Sequence, residues 1–271
     1  MDSSSGKAIR MGRIFRPSTQ HSVTVAFSHG VLLGPAKGYQ TYHEMDKMMG
    51  IFQKADAIML SPGMVTKLKD HYVGRNRPGL IIQADWQNVG RAREGAFKNV
   101  GRSVAMMTAE QAVAAGADAI MTYLWMGGDD SELEAIDVER NAMFARACEE
   151  FGLPLMIESR GLQNENDASG KVDLQLLRLH TRIAAELGAD FIKTKYSGDV
   201  ETFKQVTSEC PVPVLVAGGS RQKTDADALK LVEDVMSGGG AGIVFGRNIF
   251  QSERPDYMMQ EVINRVHGVA K

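Results

Sequence analysis

Eight short apolar runs, separated by stretches of helical periodicity, constrain this chain more than any other feature. They are Ser22–Phe27, Ala57–Leu60, Gly79–Gln83, Ala117–Tyr123, Pro154–Glu158, Asp190–Lys193, Val214–Ala217 and Gly242–Phe245. Each is too short for a buried helix and nearly continuous in apolar character, as a strand covered on both faces should be. Between and after them lie amphipathic stretches at Glu132–Glu150, Leu174–Leu187, Thr224–Ser237 and Pro255–His267. Glycine-led helix stops (Gly116-Ala-Asp118, Gly188-Ala-Asp190, Gly240-Ala-Gly242) precede several strands, as short helix-to-strand loops require. Alternating strand and helix gives the α/β class with a parallel sheet, and eight such units favour closure into a single-domain (β/α)8 TIM barrel. An open doubly wound sheet is the competing architecture. Phe27-Ser-His-Gly30 follows the first strand, however, where a dinucleotide-binding sheet carries Gly-x-Gly-x-x-Gly. The 271 residues suit one barrel, with residues 1–20 expected as a short N-terminal extension packed across it and 21–271 as the catalytic domain.

Composition narrows the function classes. A formal net charge of −2 gives no reason to expect nucleic acid or an anionic membrane as partner. The densest basic stretch, Arg91 to Arg102, is interrupted by Glu94 and reads as a solvated helix face or loop. Two cysteines, Cys148 and Cys210, form neither a disulfide framework nor a zinc or redox motif. The six histidines are scattered, with no His-x-His or His-Glu-x-x-His, so no metal is expected. The N-terminus Met-Asp-Ser-Ser-Ser-Gly-Lys7 lacks the apolar stretch of a signal peptide, and the chain is expected to be soluble and cytoplasmic.

In a closed barrel the chemistry gathers at the C-terminal strand ends. Lys193 ends the sixth run, and Lys195 follows two positions later in Gly188-Ala-Asp-Phe-Ile-Lys-Thr-Lys-Tyr-Ser-Gly-Asp199. If the strand persists, both point to one face, and two ammonium groups sharing a cavity repel, which favours a neutral amine. A neutral lysine can form an imine with a ketose or aldehyde; alternatively Lys193 is a structural ion-pair partner. Gly218, Gly219 and Ser220 after the seventh strand, with Gly246 and Arg247 after the eighth, stand where barrels commonly hold phosphate, and Asn248–Phe250 could open a helix there. A phosphorylated small molecule is therefore the expected ligand. His29 after strand one could orient a hydroxyl or move a proton, although a lone histidine is more often structural. Glu158, Asp85 and Tyr123 are further acid/base candidates, and the carboxylates could instead pair with Arg160 or Lys195. Trp86 and Trp125 could wall the pocket or simply pack beneath the loops. The paired methionines, such as Met48-Met49 and Met258-Met259, suit core filling.

These residues sit in segments that resemble a known family. The segments are Arg13-Ile-Phe-Arg-Pro17, Ala26-Phe-Ser-His-Gly30, Arg182-Ile-Ala-Ala-Glu-Leu-Gly-Ala-Asp-Phe-Ile-Lys-Thr194, Cys210-Pro-Val-Pro-Val-Leu-Val-Ala-Gly-Gly219 and Gly246-Arg-Asn-Ile-Phe-Gln-Ser252. The chain resembles the class I (Schiff-base) aldolase superfamily of deoxyribose-phosphate and archaeal-type fructose-bisphosphate aldolases, most of all the branch with the phospho-autoinducer-2 (3-hydroxy-5-phosphonooxypentane-2,4-dione) thiolase. The resemblance implies Lys193 as imine former, a phosphate site at Gly218, Gly219, Ser220, Gly246 and Arg247, no cofactor, and a homo-oligomer, often a decamer. Coenzyme A enters only as co-substrate of a thiolase-like alternative. Two positions depart from the family pattern: Ser28 stands where an aspartate is usual, and Trp125 where a tyrosine usually acts as acid/base. An indole donates a hydrogen bond but does not exchange protons usefully. Tyr123, Tyr196, Glu158 or His29 could take over. The implied activity is a carbon–carbon lyase on a phosphorylated keto compound, with the acyl transferase and a catalytically degenerate sugar-phosphate binder as alternatives.

Overall fold

All eight apolar runs become strands, and they close on one another. The structure, a computed structural model, describes residues 3–35, 37–89, 103–128, 131–162 and 172–268; the basic stretch Arg91 to Arg102 lies outside them. The barrel strands are β1 (Ser22–Ala26), β2 (Ala57–Leu60), β3 (Gly79–Gln83), β6 (Ala119–Met126), β7 (Leu155–Gly161), β8 (Phe191–Thr194), β9 (Val214–Ala217) and β10 (Gly242–Phe245). Around the barrel the order is β1-β10-β9-β8-β7-β6-β3-β2, and every pair in it is parallel. The chain therefore forms a single-domain TIM barrel with helices between its strands.

Alternation along each strand divides the core in two. Met59, Ile81, Met121, Met156, Phe191, Leu215 and Val244 fill the lumen, whereas Ile58, Ile82, Ile120, Ile157, Ile192, Val216 and Phe245 pack outward. The outer layer meets Phe144, Leu177, Phe203, Val232 and Val262 from the surrounding helices. Full burial of such a side chain stabilises the fold by about 1.5–3 kcal/mol. Helix starts are set locally: Thr41, Thr108 and Thr224 form capping boxes with Glu44, Gln111 and Asp227.

The helix Ser3–Ile14 seals the N-terminal end of the barrel. Ile14 and Phe15 enter the lumen cluster, where Phe15 meets Phe191 edge-on at 5.3 Å between centroids. Lys7 pairs with Glu149 (2.7 Å) and Asp190 (3.0 Å), and Arg13 with Asp118 (2.8 Å), so the helix is tied to the barrel on two sides.

Two features were not foreseen from the sequence. An antiparallel hairpin, β4 (Asp85–Gln87) with β5 (Ser103–Ala105), follows β3; its strands are too short and too polar to register as apolar runs. The pair β6–β7 also runs on to Met126 opposite Gly161, so Trp125 and Arg160 lie within strands rather than in the loops after them.

Gly242 shows how tightly the closure is made. It is paired with Ser22 across the β1–β10 seam, its φ is +133°, and a Cβ would lie 1.9 Å from the Ser22 carbonyl oxygen. Gly242→Ala is expected to lower stability by more than about 4 kcal/mol or to prevent folding, as checked by urea unfolding of the soluble fraction.

Candidate active site

The register of β6, β7, β8 and β9 sets Tyr123, Glu158, Lys193 and Leu215 side by side at one height. All face the lumen, because each lies in the inward set of its strand's alternation. Lys193 Nζ donates to Glu158 Oε2 at 2.6 Å, and both side chains are buried. One layer nearer the C-terminal mouth, Arg160 lies beside Trp125 in register and reaches Glu158 Oε1 at 3.4 Å. The neighbour that Lys193 touches is thus an acid, not Lys195, although Lys195 lines the same cavity.

That cavity has a volume of about 330 Å³. On one side stand Tyr123, Trp125, Glu158 and Arg160; on the other, Gly218, Gly219, Ser220, Gly246 and Arg247, with His29 beside them. The two glycine loops are joined by Asn248, which is fully buried. Its Nδ2 donates to the Gly218 carbonyl at 2.9 Å and its Oδ1 accepts from Gln222 N–H at 2.8 Å. Gly218 gives its own N–H to the Val244 carbonyl (3.2 Å), so it shapes the loop instead of supplying a donor to a ligand. At Gly246 a Cβ would meet both the Ala26 carbonyl oxygen and His29 Cε1 at 2.5 Å, so only glycine lets the loop approach this closely. Arg247 begins a single helical turn, Arg247–Phe250, too brief to act as a helix terminus toward an anion.

Burial sets the state of two of the cavity's ionisable groups, His29 and Tyr123. Burial, then the charges of Arg247 and Lys193, lowers the His29 imidazole to about 3, so it is neutral at ordinary pH. Its Nδ1 is buried with no hydrogen-bond partner among the described residues. Burial, followed by Glu158 and Asp85, holds the Tyr123 phenol well above its ordinary value, against the opposing pull of a Gln87 hydrogen bond and Arg160. Tyr123 therefore keeps its proton at ordinary pH. Trp125 stacks on it, 5.9 Å between ring centroids and 15° from parallel.

Not every anticipated residue reaches the cavity. Ser28 is buried but is not among its lining residues. Asp85 sits behind Tyr123, where its Oδ2 accepts from Tyr123 N–H (2.9 Å) and Arg140 Nε (3.2 Å). Tyr196 packs outward against Phe203, and Trp86 gives its indole N–H to the Val31 carbonyl (3.0 Å). Conversely, Gln87, Leu32 and Leu33 line the cavity although nothing in the sequence singled them out. Continuing the alternation of β3 past Gln83, through Asp85, would have pointed to Gln87.

With this geometry in view, the comparisons with known proteins converge. The family model described as DeoC/LacD family aldolase matches residues 22–252. The chain belongs to the DeoC/LacD aldolase family. It is 30% identical over 97% of its length to an uncharacterized aldolase of Saccharolobus solfataricus, covering 94% of that protein. It is also 30% identical over 97% of its length to the 3-hydroxy-5-phosphonooxypentane-2,4-dione thiolase of Escherichia coli, covering 82% of it. Among solved structures, an archaeal fructose-1,6-bisphosphate aldolase whose catalytic lysine is covalently bound to the carbinolamine intermediate of the substrate superposes with a TM-score of 0.82. The identity is 28%, and the match covers 97% of this chain and all (100%) of the other. The resemblance read from the sequence segments and the barrel fold both stand.

Behind the site, Asp85 and Asp137 share the single guanidinium of Arg140 in a buried cluster. Burial first, with Asp137 adding, raises the Asp85 carboxyl from 3.8 to about 7, although Arg140 and the Tyr123 N–H oppose this. Between those values the folded protein holds a proton that the unfolded chain has released. The stability this contributes is full below the unfolded value and is lost as pH rises through about 7. Urea unfolding across this range should show the decline, and Asp85→Asn should flatten it.

Proposed function

We propose that the protein is a class I aldolase-type carbon–carbon lyase, acting through a Lys193 imine on a ketone with a phosphonooxymethyl group on one side and a hydroxyl-bearing carbon on the other. The observation that carries this reading is the Lys193–Glu158 pair at 2.6 Å in a cavity whose other wall is the Gly219–Ser220 and Gly246–Arg247 loops. A carboxylate in contact with the ammonium can take its proton and release the amine as nucleophile. The compounds named for the relatives support the substrate class. Open-chain fructose 1,6-bisphosphate and 3-hydroxy-5-phosphonooxypentane-2,4-dione share this ketone fragment.

The steps follow from the placed groups. Glu158 accepts the Nζ proton, and the amine adds to the ketone carbon to give a carbinolamine. Tyr123 protonates the departing hydroxyl, water leaves, and an iminium remains beside the phenolate. The phenolate takes the proton of a hydroxyl on the second carbon from the iminium as the bond between that carbon and the first breaks; the bonding electrons enter the iminium, giving an enamine, and the second carbon leaves as an aldehyde. Tyr123 then protonates the enamine carbon, and water hydrolyses the new iminium. Glu158 returns its proton to Lys193. Arg247 and the glycine loops hold the phosphate throughout, fixing the ketone against Nζ.

Trp125 favours a second reading, thiolase-like acyl transfer, because it occupies the position where the family pattern puts a proton-exchanging tyrosine. In that case a thiol of coenzyme A adds to the second carbonyl of a phosphorylated diketone. The same carbon–carbon bond then breaks toward the iminium, and an acyl thioester leaves in place of the aldehyde.

Borohydride reduction in the presence of dihydroxyacetone phosphate, followed by peptide mass mapping, should leave a stable adduct on Lys193, and Lys193→Met should abolish turnover. Normal turnover by that variant would sink the imine mechanism. Arg247→Ala is expected chiefly to raise KM, by about tenfold or more. Product formation that requires added coenzyme A would select the transferase. Trp125→Tyr should raise ordinary aldol cleavage; an unchanged rate would remove Trp125 from the proton path.

A further inference from the structure

We propose that Gln87, carried by the β4–β5 hairpin, is the positioning residue that holds the Tyr123 hydroxyl in place as proton donor, an inference that rests on the reading given above.

Tyr123 is gripped at three points. Asp85 Oδ2 accepts its N–H at 2.9 Å. Its carbonyl accepts from Arg140 at 2.6 Å and from Asn141 Nδ2 at 2.8 Å. Gln87 lines the same cavity beside its phenol and acts on that phenol as a hydrogen-bonding neighbour, pulling against the burial that raises it. Two of the three grips come from β4, a three-residue strand outside the barrel, on which Asp85 and Gln87 are two apart and so share a face. The strand is itself pinned, since Gln83 Nε2 donates to the Asp85 carbonyl at 2.9 Å and Gln87 is paired with Ser103 of β5. Both Gln87 and Tyr123 are buried, and both line the cavity that contains Lys193. The hairpin thus fixes the backbone of Tyr123 with one side chain and its reactive oxygen with the other.

The chemistry of an amide suits this task. It can accept from a neutral phenol and, after a turn of its plane, donate to a phenolate, so it supports both states through which Tyr123 must pass. A carboxylate supports only the first, and an apolar side chain neither. Burial and the charges of Glu158 and Asp85 disfavour a phenolate at Tyr123, with only Arg160 and Gln87 pulling the other way, so a donor held at its oxygen eases proton transfer.

Gln87→Met, which is similar in size but lacks the donor, and Gln87→Glu, which keeps only acceptors near neutral pH, test the proposal on the intact enzyme with dihydroxyacetone phosphate as probe. Two readouts are compared: the borohydride-trapped adduct on Lys193, and exchange of a carbon-bound proton of the probe with deuterium from solvent. Because Tyr123 also serves the dehydration that forms the iminium, both variants should reach the wild-type yield of adduct at long times but form it more slowly, and lose exchange and kcat by about 10- to 100-fold. In a Tyr123→Phe background, Gln87→Met should cause no further loss. Wild-type exchange in both Gln87 variants, or an equal loss when Tyr123 is already replaced, overturns the proposal while leaving the imine reading intact. No adduct in the wild-type protein would instead overturn that reading and this proposal with it.

Discussion

Closing eight parallel strands on themselves leaves every second side chain nowhere to go but the lumen, and the rest of this protein depends on that constraint. The hydrogen-bond register fixes the height of each inward residue, so the lumen fills in layers. Near the N-terminal end the layers are apolar, with Ile14 and Phe15 completing them from below. At the other end Tyr123, Glu158 and Lys193 share a level because their strands are hydrogen-bonded in that register. A buried ion pair adds little to stability compared with apolar side chains of similar size. The Lys193–Glu158 pair at the top of a well-packed lumen is therefore better explained by chemistry than by folding.

The proton inventory follows from the same burial. His29 is held neutral and Tyr123 protonated, with the Glu158–Lys193 contact beside them. Tyr123 and Trp125 lie on one face of β6, stacked, with the phenol one layer deeper than the indole. A tyrosine at the level of Lys193 can serve the proton steps that an indole at the mouth cannot.

Much of this was legible in the sequence because it is local. Strand positions follow from apolar runs, and Lys193 and the Gly218–Ser220 and Gly246–Arg247 loops follow from where those runs end. What was not legible depends on relations between distant segments. Glu158 was visible as a carboxylate at a strand end, but its contact with Lys193 comes from the β7–β8 register, which no single segment encodes. Lys195 was expected to be the neighbour that governs Lys193 because it is close in sequence; across the sheet an acid is nearer. Gln87 escaped notice because the hairpin strand that carries it is only three residues long and mixed in polarity. Asn248 could be placed after the last strand, but not as the link that joins two loops through its amide.

The sealed N-terminal end also governs traffic. With the helix Ser3–Ile14 bound to Glu149, Asp190 and Asp118 and its last residues wedged into the lumen, the barrel is a vessel with one opening. Whatever enters must turn around and leave by the same door. In the reaction proposed above, the fragment bound to Lys193 at depth and by its phosphate at the wall would not depart ahead of the unanchored fragment nearer the exit. For that proposed reaction the plumbing of the barrel sets the order in which products emerge, with the free carbonyl compound first and the phosphorylated ketone last.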